Sequence, residues 1–95
     1  MLPENRVPTH PGEILQEQFL EPLDLSRADL AQHLGIPVQG IDELVQGTQG
    51  VTPELAWLLA QAFDTTPEFW VNLQRNHDLV AHRPDRVVAP LRKVS

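Results

Sequence analysis

Ninety-five residues carry seven Lys and Arg against thirteen Asp and Glu, a net charge of −6, with no Cys. That length leaves room for one small core and no second domain, and the missing thiols exclude a disulfide framework or a thiolate metal site. No apolar run is long enough to span a bilayer, the acid balance disfavours an anionic lipid surface, and the opening MLPENRVPTHPGE lacks the apolar centre of a secretory signal, so a cytoplasmic location is expected.

In chain order the pattern predicts five helices. The first runs from Pro11 to Leu20: Pro suits a first helical position, Pro22 ends the segment, and Ile14, Leu15, Phe19 and Leu23 form its inner face. The second starts after the N-cap Ser26 and ends near Leu34. The third spans about Pro37 to Val45 or Gln46 and closes at Gly47. The fourth opens on Thr52-Pro53-Glu54 and the fifth on Thr66-Pro67-Glu68, one device used twice: a Thr cap, a Pro in the first turn and a carboxylate near the positive helix end. Leu55, Leu58, Leu59, Ala62 and Phe63 give the fourth helix an apolar stripe, and Phe69, Trp70 and Leu73 do so for the fifth. Trp70 reads as a core residue; Trp57 suits either the core or an interface, where Trp is enriched. Arg86–Ala89 carries the one strand-like signal, a short β-branched piece before Pro90.

The densest information lies in RADLAQHLGIPVQGIDELVQ, Arg27 to Gln46. Leu30, Leu34, Ile36, Ile41 and Leu44 are apolar at the spacing of a helix-turn-helix. Ala31 is small where two short helices must cross closely, and Gly35 stands where the turn needs a left-handed backbone. The second helix of such a motif lies in the major groove and reads bases from its N-terminal half. That half presents Val38, Gln39, Gly40, Asp42, Glu43 and, further along, Gln46. Gln39 suits a bidentate pair with adenine, and Val38 suits a thymine methyl. Gly40 costs about 1 kcal/mol inside a helix; close approach to DNA and simple tolerance explain it equally well. Ser26 and Arg27 suit a phosphate at the start of the second helix, and Thr48 and Gln49 suit the DNA backbone after the third.

Charge opposes this. Residues 1–50 hold Arg6 and Arg27 against Glu4, Glu13, Glu17, Glu21, Asp24, Asp29, Asp42 and Glu43, a net −6, while residues 51–95 are neutral. The half expected to approach DNA therefore has almost no Lys or Arg for phosphate neutralisation.

The segments His10-Pro11-Gly12-Glu13-Ile14-Leu15 and Phe19-Leu20-Glu21-Pro22-Leu23, the helix-turn-helix, and Thr65-Thr66-Pro67-Glu68-Phe69-Trp70-Val71-Asn72-Leu73-Gln74 followed by Asp78-Leu79 together resemble HigA-type (VapI-like) antitoxins of the Cro/repressor (XRE) helix-turn-helix group, over about residues 9 to 81. The resemblance implies an all-α, five-helix lambda-repressor-like DNA-binding domain over residues 11–82, between an N-terminal arm (1–10) and a C-terminal tail (83–95). It implies an antitoxin that binds double-stranded operator DNA as a transcriptional repressor, forms a homodimer, and neutralises a basic RelE/HigB-like ribonuclease toxin. The dimer interface is expected at Trp57, Trp70, Leu73 and His77; Glu13, Glu17 and Glu21 are candidates for toxin contact. Family members commonly carry Arg where this chain has Gly40, Thr48, Gln49 and Leu58. Those departures keep open a second reading, a repressor-fold protein-binding module with little DNA affinity.

No enzyme, cofactor or metal is expected. There is no nucleophile turn and no phosphate loop, and His77 and His82 are five apart, a poor helical ligand spacing. His33 is expected to face solvent, and His10 to cap the first helix or pack locally.

Overall fold

His10 and Pro11 start the first helix together. The Gly12 amide donates to His10 Nδ1 at 2.9 Å, and Pro11, which has no amide hydrogen to lose, occupies the first turn. The computed structural model describes residues 9–91. In it α1 (Pro11–Ile14) runs directly into a π-helical segment (Leu15–Leu20), followed by α2 (Arg27–Leu34), α3 (Val38–Gln46), α4 (Pro53–Phe63) and α5 (Pro67–Ala81). The expected extent of the first helix holds, but its second half is wider than an α-helix, with the Glu21 amide donating to the Gln16 carbonyl and Leu25 to Leu20, five residues back. Residues five apart stand about 140° apart around an α-helix. The wider turn brings Leu15 and Leu20 onto the same inner side, and both are fully buried. Leu20 thus takes the place expected of Leu23, which is 58% exposed beyond the helix.

The other boundaries follow their caps. Ser26 and Asp29 form a reciprocal capping box, the Asp29 amide donating to Ser26 Oγ at 2.9 Å and the Ser26 amide to Asp29 Oδ2 at 3.2 Å. Thr52 and Thr66 accept from the Leu55 and Phe69 amides at 3.2 and 3.1 Å. Gly35, at φ +73°, makes the left-handed turn between α2 and α3.

The core is built from Leu15, Leu20, Leu30, Ala31, Ile41, Leu44, Leu55, Ala56, Leu59, Ala60 and Trp70. Ala31 occupies the expected small position. Trp70 is 0% exposed; its indole N–H donates to Thr65 Oγ1 at 2.8 Å, and its ring packs with Phe19 and Phe69, both at 5.1 Å between centroids. Gly12 marks the tightest passage. A Cβ there would stand 1.9 Å from the Leu44 carbonyl oxygen and 2.8 Å from the Val45 Cα, so the start of α1 lies directly on the backbone of α3.

Residues 83–91 have no regular structure, and the strand expected at Arg86–Ala89 does not form: an isolated strand needs a partner ladder, and the body beside it is helical. Most of the expected N-terminal arm (1–8) and the last four residues of the tail lie outside the described residues. Among the described residues no helix is long and apolar enough to cross a membrane.

A Gly12→Ala substitution forces α1 off the α3 backbone. Chemical denaturation should show a loss of about 2–3 kcal/mol, at the upper range of overpacking costs; unchanged stability would contradict the close approach.

Candidate nucleic-acid interface

The seat that Gly12 provides buries Ile41 and Leu44 and turns the opposite face of α3 outward. Val38, Gln39 and Gln46 are exposed, Gly40 and Asp42 half-exposed, and Thr48 and Gln49 lie exposed in the loop that follows. Ser26 and half-exposed Arg27 flank them at the start of α2. The nine residues expected to meet DNA therefore come from two helix starts, one helix face and one loop. The space beside Gly40 is open: a Cβ there would meet nothing within 4 Å. Packing within the chain does not require Gly at this position, so close approach to DNA and simple tolerance both stand.

The polar groups of this face are largely engaged with one another. Arg27 reaches Asp42 Oδ1 on α3 with a guanidinium nitrogen at 3.3 Å, and its Nε donates to Gln16 Oε1, also at 3.3 Å. One cation thus ties the first helix, α2 and α3 together. The pair is more than a third exposed on both sides, where such contacts contribute about 0–1 kcal/mol, so a phosphate can displace Asp42 at little cost. Gln39 Nε2 donates to Glu43 Oε2 at 3.3 Å, one turn along α3. The Thr48 hydroxyl donates to the Glu43 carbonyl at 3.2 Å and closes the C-terminal end of α3.

The expected dimer residues do not share one surface. Trp57 is 59% exposed on α4, as an interface anchor requires. Trp70 is a correction: wholly buried within its own chain, it has no surface to offer a second copy. Leu73 packs half-buried against the core, and His77 meets His10 edge-on at 4.8 Å between ring centroids. The sequence reading missed Val71 and Leu79, exposed on the outer side of α5, which with Val51 and Pro84 line a shallow groove of about 520 Å³. Their eight-residue spacing on one helix was the available signal.

Behind the loop after α3 lies a second shallow cleft of about 400 Å³, in which Thr48, Gln49 and Thr52 face His10, His77, Asp78 and His82. Gln74 bridges its walls: Oε1 accepts from the Val51 amide at 2.8 Å, and Nε2 donates to Asp78 Oδ1 at 2.9 Å. That hydrogen bond from Gln74 holds the Asp78 carboxyl below its ordinary range. Partial burial, and then the neighbouring His77, push the His10 imidazole below its ordinary value of 6.5. His33 is exposed on α2, as expected.

The helix-turn-helix family model matches residues 17–70. An uncharacterised HTH-type transcriptional regulator of Haemophilus influenzae is 53% identical over 78% of the chain and 69% of its own length. Antitoxin HigA-1 of Vibrio cholerae is 40% identical over 78% of the chain and 70% of its own length. Among solved structures, Pseudomonas aeruginosa antitoxin HigA with the higBA promoter is 37% identical, with a TM-score of 0.77 over 79% of this chain and 82% of that one.

Because His10 caps α1 through an unprotonated Nδ1 and has a folded pKa below its unfolded value, the stability it contributes is complete above pH 6.5 and is lost as pH falls below that value. The denaturation midpoint should drop from pH 7 towards pH 5, and His10→Asn, which keeps a capping acceptor but does not titrate, should flatten that drop. Asp78 acts in the same direction only in the acid range. An identical profile for the Asn variant would rule out the His10 cap as its source.

Proposed function

The chain belongs to the helix-turn-helix family, and on that premise we propose that it is the antitoxin of a type II toxin–antitoxin pair, repressing its own operator and neutralising a RelE/HigB-like ribonuclease. The observation that carries the DNA half is the outward face of α3, with open space at Gly40 where a groove wall would lie. It is supported by the solved relative described with a promoter at 37% identity. In this reading a homodimer sets two α3 helices in successive major grooves about one helical turn apart. Trp57 on α4 and Val71 and Leu79 on α5 are the apolar surface it has available. Gln39 leaves Glu43 to pair with adenine, Val38 meets a thymine methyl, and Arg27 exchanges Asp42 for a phosphate.

The antitoxin half rests on charge. A ribonuclease that binds a polyanion is expected to be basic, and an acidic antitoxin meets it quickly and at long range. Glu13, Glu17 and Glu21 are exposed along and just beyond the first helix, and they are the proposed contact. One observation favours the second reading, a protein-binding module with little DNA affinity: on the described reading face the single Arg is already paired with Asp42. The two separate on a mobility shift with duplex from upstream of the chain's own reading frame, which the module leaves unshifted.

Substituting Gln39→Ala should reduce discrimination at one base pair by about 1–3 kcal/mol. Selection of bound duplexes from a randomised pool reads this; unchanged base preference removes Gln39 from the reading set. Expressed alone, a short basic reading frame beside this gene should arrest growth, and co-expression of this chain should restore it. Arrest that persists in the presence of this chain counts against the antitoxin role.

A further inference from the structure

The charge of the chain is divided sharply. The helical body, residues 9–82, holds Arg27 and Arg75 against eleven carboxylates, a net −9, whereas residues 83–95 hold Arg83, Arg86, Arg92 and Lys93 against Asp85, a net +3. The described part of that segment, residues 83–91, has no regular structure and is exposed throughout, with Val87 97% exposed. It leaves from a specific place. His82 at the end of α5 shares the second cleft with Thr48 and Gln49, so the arm begins beside the loop assigned to the DNA backbone. From Arg83 to Leu91 an extended chain reaches about 30 Å, most of one turn of duplex.

We propose that residues 83–91 form a second DNA contact, an arm that runs along the sugar–phosphate backbone from the Thr48–Gln49 side and supplies cations that the helix-turn-helix lacks. This rests on the operator-binding reading above. The body has one Arg near the reading face, and it is paired with Asp42; the arm carries Arg83 and Arg86, both exposed. A basic toxin is the less suitable occupant, because the arm carries the same sign of charge and the acidic body is the surface that attracts it. Phosphate contacts position a protein without reading sequence. The arm therefore raises affinity for any duplex, while α3 chooses among duplexes.

The test compares the full chain with a variant carrying Arg83→Gln and Arg86→Gln. Fluorescence anisotropy is measured on duplex from upstream of the chain's own reading frame and on a scrambled duplex of equal length, at roughly 50 and 200 mM salt. Because the described arm residues lie outside the core, helix content and thermal midpoint should match those of the parent. The variant should bind both duplexes more weakly by the same factor at low salt, with a shallower dependence on salt. Each phosphate that the variant no longer neutralises lowers the logarithmic slope by about 0.9, so two such phosphates in the complex make the fourfold salt step about tenfold less costly for the variant. An unchanged slope, or tighter binding caused by release of an arm that lay on its own acidic body, overturns the inference while leaving operator binding intact. A parent chain that binds neither duplex overturns the operator reading and this inference with it.

Discussion

The structure depends on the absence of a side chain at position 12. With the start of α1 resting on the carbonyl of Leu44 and the Cα of Val45, α3 is held by direct backbone contact in addition to its buried side chains. Ile41 and Leu44 are driven inward from the same helix, so the face bearing Val38, Gln39 and Asp42 has only one direction left to point. His10 supports this seat by holding the Gly12 amide, and Arg27 braces the first helix, α2 and α3 from the outer side. The orientation of α3 is thus set largely from its inner side, by Gly12, His10, Ile41 and Leu44.

Electrostatics divides the labour in the same chain. The folded body is acidic, and the one Arg beside α3 is half-committed to Asp42 through a contact weak enough to exchange. Such a surface holds little attraction for DNA at a distance and much for a basic protein. Under the proposed function, base selection and toxin capture draw on opposite properties of one small body, and the proposed basic arm would reconcile the two. If toxin binding screens the carboxylates, repression strengthens with the partner present, which links the two activities without any change of shape.

Much of this was legible in the chain itself. Ser26, the two Thr-Pro-Glu starts and the Gly residues after α2 and α3 announce four of the helices to within a residue or two, because caps act locally and need no knowledge of the fold. The helix-turn-helix was readable for the same reason: its spacing is set by two adjacent helices. What escaped the sequence is tertiary. Gly12 looks like any glycine near a helix start until α3 is laid against it. Leu20 looks misplaced on an α-helix until the turn widens, and Leu23 looks well placed until it does. Arg27 and Asp42 are fifteen residues apart and meet only after α2 and α3 have turned. Trp70 was readable as a core residue and is sealed there by Phe19, Phe69 and Thr65, but only the fold decides that Trp57 lies open on α4.

Amide hydrogen exchange of the full chain, free and with duplex from upstream of its own reading frame, addresses the central claim most directly. If α3 is the probe, protection on adding DNA gathers on the start of α2, on Val38–Gln46 and on the loop through Thr52, while the middle of α5 exchanges as before. Protection confined to α4 and α5, with Val38–Gln46 unaffected, would mean that the outward face of α3 does not enter the groove.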